Sequence, residues 1–256
     1  MANLQLWDQI KEWKSTKYKW VDLTHELSPE TPHWFGFQPL QAELLFDYAE
    51  GTPEDKAAPM RCFQYSVASQ YGTHVDVPRH FWGDGRAMNE IAVQEMVYPL
   101  VVVDKSAECA ANADFMLTVE DLKAWEAVYG RIPENAFVAF RSDWYKKPNL
   151  DNPDENGVPH YPGWDKAAIQ WLVEERHIGA IGHEPADTDP GFVTTREDAY
   201  PYPGEQYILE ANRIQIEVMR NLDQLTPVGG LIVCAFPKLK DGTGFPARCF
   251  AICPAD

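Results

Sequence analysis

The sequence contains no Cys-x-x-Cys pair. Its five cysteines, Cys62, Cys109, Cys234, Cys249 and Cys253, are odd in number and scattered. That pattern disfavours a disulfide framework, Cys249 and Cys253 lack the second pair that a zinc site would need, and reduced thiols in a cytoplasmic protein are expected. No apolar run approaches the roughly 20 residues that a membrane-spanning helix needs. Met1-Ala2-Asn3-Leu4-Gln5 lacks the basic start and apolar block of a signal peptide. Basic residues are scarce, 22 Lys and Arg against 39 Asp and Glu, for a net charge of -17. Such a surface repels phosphate backbones and anionic lipid heads, so neither nucleic acid nor a membrane is expected as a partner. Also missing are the G-x-S-x-G nucleophile elbow, the G-x-x-x-x-G-K-[ST] phosphate loop and the H-E-x-x-H zinc helix. Gly242-Thr243-Gly244 is a lone Gly-x-Gly in a polar turn and reads as a hairpin or loop.

What remains is ordinary globular composition in 256 residues, with 45% apolar and 24% charged. One domain over residues 1–256 is expected, with residues 1–16 as an N-terminal helical arm. In that arm Leu4, Leu6, Trp7, Ile10 and Trp13 recur at helical spacing, a face for the body of the protein or for a neighbouring subunit. Residues 19–25 read as a strand. Residues 26–59, rich in Pro, Gly and aromatics, read as a long loop, and Trp34, Phe35 and Phe37 mark it as functional. Strands are expected at 61–69, 100–104, 136–141, 178–182, 231–236 and 248–253. The run 100–104 is continuously apolar, as in a strand buried on both faces. Thr118 opens a helix that Gly130 closes, and Asp165 caps a second helix running to Arg176. Ile214, Ile216 and Val218 alternate with Gln215, Glu217 and Met219. Strands interleaved with helices favour an α/β class.

The densest polar cluster is Gln70-Tyr71-Gly72-Thr73-His74-Val75-Asp76-Val77-Pro78-Arg79-His80. In extended backbone side chains repeat with period two, so His74 and Asp76 point the same way with Val75 and Val77 behind them. Pro78 breaks the strand and turns His80 back toward the same space. Arg79 should point away. Two imidazoles and a carboxylate within seven residues suit a divalent metal or acid–base chemistry. A surface turn with a chance pair of histidines is the bland alternative. Glu217, on the polar side of its strand with Gln215, is the candidate distant ligand, and otherwise it is an exposed edge charge. His183, Glu184 and Asp187–Asp189 fall where open α/β sheets place binding residues, and helix capping explains them equally well. His74-x-Asp76 also opens a two-His-one-carboxylate iron triad with His160 or His183 as third ligand. A non-catalytic small-molecule binder is a further alternative.

The segment from Gln70 to His80 resembles the H-x-G-T-H-x-D-x-P-x-H signature of the cyclase-like metal-dependent hydrolases, the family of kynurenine formamidase and isatin hydrolase. Gly72, Thr73, His74, Asp76, Pro78 and His80 all fit it. The likeness extends from Val21-Asp22-Leu23-Thr24 and Thr31-Pro32-His33-Trp34 to Asn221-Leu222-Asp223. The resemblance implies a swivelling β/β/α fold, a mixed sheet core with flanking helices. It further implies a homodimer or homotetramer, and hydrolysis of a small cyclic or aryl amide by metal-activated water. His74, Asp76 and Glu217 match metal ligands, His80 the catalytic histidine, and Trp34 a substrate-contacting aromatic. Phe35, Phe81 and Trp82 would extend that aromatic wall, with core packing as the alternative for each ring. Two positions depart from the pattern. Gln70 replaces the first histidine, and Glu205 stands where the dinuclear members carry another. One metal rather than two is thus implied, with Gln70 near enough to contact it or its water. Oxygen-rich coordination shifts the expectation from Zn²⁺ toward Mn²⁺.

Overall fold

The structure, a computed structural model, describes residues 4–48, 54–197 and 199–255. Its strands, in chain order, are β1 (Tyr18–Asp22), β2 (Gln41–Phe46), β3 (Cys62–Ser66), β4 (His74–Asp76), β5 (Val97–Asp104), β6 (Met116–Leu117) and β7 (Phe137–Arg141). They continue with β8 (Gly163–Trp164), β9 (Ala180–His183), β10 (Ile214–Glu217), β11 (Gly230–Ala235), β12 (Gly244–Pro246) and β13 (Arg248–Pro254). The helices are α1 (Gln5–Trp13), α2 (Ser106–Ala111), α3 (Val119–Tyr129), α4 (Lys166–Arg176), α5 (Gly191–Thr194) and α6 (Pro203–Glu210).

Nine strands form one mixed sheet in the order β1-β13-β11-β5-β7-β9-β10-β4-β12. Its centre, β5-β7-β9-β10, is parallel, and the neighbours on both sides run antiparallel. The apolar run of β5 is buried on both faces, and its alternate residues enter two separate cores. Val101 and Val103 pack with Leu122 and Trp125 of α3, Ile169 and Leu172 of α4, and Ile208 and Leu209 of α6. Leu100 and Val102 join a second core that holds Val75 of β4 and Ile216 of β10 together with Cys249 and Ala251 of β13. Strands far apart in sheet order share that core because the sheet curls over it. The mixed α/β architecture expected from the sequence is the one observed.

The two helices with clear end signals form where those signals lie. The Thr118 hydroxyl accepts a hydrogen bond from Asp121 N at 3.3 Å, and the Asp121 carboxylate accepts one from Thr118 N at 2.9 Å. This is a reciprocal capping box. Asp165 caps α4 by accepting from Ala167 N at 3.0 Å. Three expectations need correction. Strand β1 ends at Asp22 and β3 at Ser66, each three residues before the predicted end. The expected loop 26–59 contains β2, which pairs with β3 apart from the main sheet. Its exposed face, with Pro and Gly close by, carries no alternation that a sequence reading can detect. Finally, the alternation after Glu217 breaks. Val218 adopts a left-handed φ of 52°, so Met219, not Val218, follows Ile214 and Ile216 into the core.

Helix α1 forms over most of the predicted arm and buries none of its residues; Leu6 is 71% and Trp7 65% exposed. Among the described residues no helix is long and apolar enough to cross a membrane.

Candidate active site

Strand register assembles the centre of the site. Antiparallel pairing of β4 with β10 sets His74 opposite Glu217 and Asp76 opposite Gln215. Period two then puts all four side chains on one face. That face lies at the C-terminal end of the parallel strands, where crevices open in α/β sheets. It is a buried polar cavity and not an exposed edge, with Glu217 only 4% exposed. His74 Nε2 lies 3.3 Å from Asp76 Oδ2 and 3.5 Å from Glu217 Oε2. One ligand atom from each of the three residues falls within 4.8 Å of the others.

Supporting contacts prepare this triad for a cation. His74 Nδ1 lies 2.8 Å from the Gly72 carbonyl. Donation there fixes the tautomer and leaves Nε2 free to ligate. Gly72 adopts φ +63°, and a Cβ on it would come within 2.8 Å of the Thr31 methyl. No L side chain fits that turn easily. Buried His74 Nε2 and Asp76 Oδ1 have no hydrogen-bond partner. Buried polar atoms rarely go unpaired, and two in one cluster of possible metal-ligating residues fit a bound cation. One imidazole and two carboxylates are also a donor set that divalent metals accept.

The charges around the triad act strongly on one another. Burial alone would depress His74 and raise Asp76. Their mutual attraction prevails, so the imidazole is held above its ordinary value and Asp76, helped by His80, falls to about 2. Glu205 and Glu217 are both pushed well above the usual carboxylate range, first by burial and then by neighbouring carboxylates. Gln215 restrains that repulsion. Its Nε2 lies 3.0 Å from Glu205 Oε1, 3.0 Å from Glu217 Oε1 and 3.2 Å from Asp76 Oδ2, while its Oε1 accepts from the Thr188 hydroxyl at 2.7 Å.

His80 comes back toward the triad through the turn at Pro78–His80. Its Nε2 lies 3.9 Å from both Asp76 Oδ1 and Glu205 Oε1, too far to be tied down by either. Arg79 points away as expected, bonding the Gly85 carbonyl and reaching Asp241 and Glu90. Glu205 reaches the site because Asp189 caps α6, accepting from Gly204 N at 2.8 Å and Glu205 N at 3.0 Å. Capping is therefore what Asp189 does. Glu184 is also structural, accepting from Ser142 N and Trp144 N. His183 is buried, 3.3 Å from Glu217 Oε1, and burial followed by the charge of His74 lowers it to about 3, so it stays neutral. His160 pairs with Asp114 and does not line the cavity. The iron-triad alternative finds no support in a core that is parallel and curled instead of a jelly roll.

A chamber of about 220 Å³ opens on the triad. Trp34, Gln70, His80 and Phe81 line it, together with Phe37 from the aromatic loop, Asp187 from the cluster after β9, and Tyr202, which the sequence did not single out. Trp34 stacks in a tilted contact on Phe35 and edge-on against Phe37; a Cβ on Gly36 would collide with its ring. Phe81 sits edge-on to His80 and to Tyr202. Phe35 lines an adjoining cavity, and Trp82 lines neither. Gln70 donates to the Thr243 hydroxyl at 3.3 Å. The signal for Tyr202 lay in Tyr200-Pro201-Tyr202-Pro203-Gly204, which starts α6 with Pro in its first turn.

Comparison with known proteins agrees with this geometry. The family model described as "Putative cyclase" matches residues 21–190. The isatin hydrolase of Roseibium aggregatum is 32% identical over 253 residues, covering 91% of each chain. The kynurenine formamidase of Bacillus anthracis is 26% identical over 172 residues, 67% of this chain and 71% of its own. The structure of isatin hydrolase A from Labrenzia aggregata bound to benzyl benzoate superposes with a TM-score of 0.89 at 32% identity, covering 98% of this chain and all of that one. With the signature residues gathered at one buried site and these matches along its length, the chain belongs to the cyclase family of metal-dependent hydrolases.

Proposed function

We propose that this protein is a metal-dependent hydrolase that opens small cyclic or aryl amides, holding one divalent cation at His74, Asp76 and Glu217. The observation that carries the reading is the buried His74–Asp76–Glu217 cluster, in which His74 Nε2 and Asp76 Oδ1 are unpartnered and from which His74 and Glu217 line an aromatic-walled chamber. Similarity to an isatin hydrolase and a kynurenine formamidase supports an amide C–N bond outside a peptide as the target. A cation in this position supplies Lewis-acid polarisation of a carbonyl and a water acidic enough to ionise near neutral pH. His80 does the proton work. Its Nε2, not fixed by a short bond, takes the proton of the attacking water and returns it to the departing nitrogen. Asp76 and Glu205 flank that imidazole, each 3.9 Å from its Nε2. Trp34, Phe37 and Phe81 hold a flat ring, with Phe35 backing Trp34, and Gln70 orients the polar edge of the substrate.

Two carboxylates against one imidazole favour Mn²⁺, with Zn²⁺ the second candidate. Residues 1–256 act as one domain in the cytoplasm, consistent with five free thiols. The uncovered apolar face of α1 supports a homodimer or homotetramer. The test is a screen of cyclic amides, imides, lactones and N-formyl arylamines with added Mn²⁺ or Zn²⁺, read by ring opening or acid release. Metal-dependent amide hydrolysis is expected. Turnover of no amide with either metal overturns the proposal.

A further inference from the structure

The chamber over the triad is small. Ligand pockets commonly span roughly 300–1,000 Å³, and about 220 Å³ falls below that range. It is not closed, however. A second cavity of about 410 Å³ shares Trp34, Asp187 and Tyr202 with it, so the same three side chains form the far wall of one and the near wall of the other. Taken together across that shared wall, the two reach ordinary pocket size. The second cavity has its own chemistry. Phe35, Pro153, Pro159 and Tyr161 provide flat apolar surface of the kind on which rings stack. At its rim stand Asp151 and the Thr195 hydroxyl, and no lysine or arginine lines it among the described residues. Asp151 is half-buried, and burial raises its carboxyl above the ordinary value.

We infer that the second cavity is a substrate-arm subsite, so that the enzyme takes aryl amides carrying a second ring, preferably one that ends in an ammonium or other hydrogen-bond donor. The inference rests on the amide-hydrolase reading above. The head group occupies the chamber at the triad, a linker passes between Trp34 and Tyr202, and the second ring lies against Phe35 and Pro159. A cationic end meets Asp151, whereas an anionic end meets that carboxylate with no lysine or arginine in the lining to offset it.

The experiment uses the Mn²⁺-loaded full chain and four substrates: isatin, and isatin bearing a benzyl, a 4-aminomethylbenzyl or a 4-carboxybenzyl arm on its aryl ring. The benzyl arm should lower KM roughly tenfold, equivalent to about 1.4 kcal/mol. The aminomethyl arm should lower it further, and the carboxyl arm should remove the gain. Thr195→Trp fills the second cavity from an exposed position and should abolish the benzyl advantage while leaving isatin turnover unchanged. Asp151→Asn should erase only the preference of amine over benzyl. Equal KM values for isatin and its benzyl derivative in the wild type, or a benzyl advantage that survives Thr195→Trp, would overturn the inference while leaving the amide-hydrolase reading intact. If isatin itself is not hydrolysed, that reading is in question, but the subsite is still tested. Calorimetry with unreactive N-benzylbenzamide should then show binding to the wild type and at least roughly tenfold weaker binding to Thr195→Trp. Equal binding to both refutes the subsite.

Discussion

Replacing Gln215 by Leu would expose the electrostatic design of the site. The substitution roughly keeps the shape of the side chain and removes one carboxamide that faces Asp76, Glu205 and Glu217 at 3.0–3.2 Å. An amide nitrogen carries two protons, so it makes at most two full bonds among those three acceptors. A hydrogen bond to a charged group contributes about 1.5–3 kcal/mol, which puts the loss in metal-free protein at about 3–6 kcal/mol. Thr188 does not add to the loss, because its hydroxyl retains Glu217 at 3.2 Å as an alternative acceptor. A cation held by His74, Asp76 and Glu217 neutralises two of the three carboxylates and leaves only Glu205 without a donor. The loss should then shrink to about 1.5–3 kcal/mol. Urea unfolding at neutral pH of wild type and variant, each with chelator and with excess Mn²⁺, measures both figures. Lowering the pH should also shrink the metal-free loss, since Glu205 and Glu217, both raised, take up protons sooner than ordinary carboxyls. Equal losses with and without metal, or a loss below about 1 kcal/mol in the metal-free protein, would refute the assignment of Gln215 as the group that separates these carboxylates.

Further outcomes follow from the same geometry. His80→Ala should cost about 10²–10⁴-fold in turnover while retaining metal, and His74→Ala should lose both; metal analysis of the purified variants decides, and equal metal loss in the two would reverse the roles. Gln70→His should bind zinc more tightly but still as one equivalent, with two equivalents only when combined with Glu205→His; a titration showing two in the single variant, or one in the double, refutes this division of labour. Metal-free protein should melt at a higher temperature near pH 5 than near pH 8. Asp187, Glu205 and Glu217 have folded values raised above their ordinary ones, so their contribution is intact at low pH and is lost as pH rises through the raised values. Asp76 works the other way, losing its contribution only as pH falls from its ordinary 3.8 toward about 2. Excess Mn²⁺ should raise the melting temperature more at pH 8 than at pH 5, and a metal-free melting temperature that rises across this range would contradict the argument.

The local features were legible in the sequence because their causes are local. Thr118 with Asp121, and Asp165, mark helix starts through bonds that span two or three residues. The period of two in His74-Val75-Asp76 puts both polar side chains on one face whatever the rest of the chain does. Resemblance to a family signature then pointed to Glu217, which alternation alone left open between a cavity wall and an exposed edge. Only the tertiary structure decided between those. The answer depends on β4 pairing with β10 across 139 residues, and on α6 and the Asp187–Asp189 turn closing over that face. The register that sets Glu217 against His74 has no local trace, and neither does the placement of Glu205 by the cap from Asp189. Strand β2 was hidden for the same reason, since it exists through its pairing with β3 and not through a pattern of its own. Sequence periodicity therefore specified which side chains face together, and long-range pairing specified what they face. The charge states of the buried carboxylates follow from that second choice, because burial and neighbouring charge, not residue type, set them.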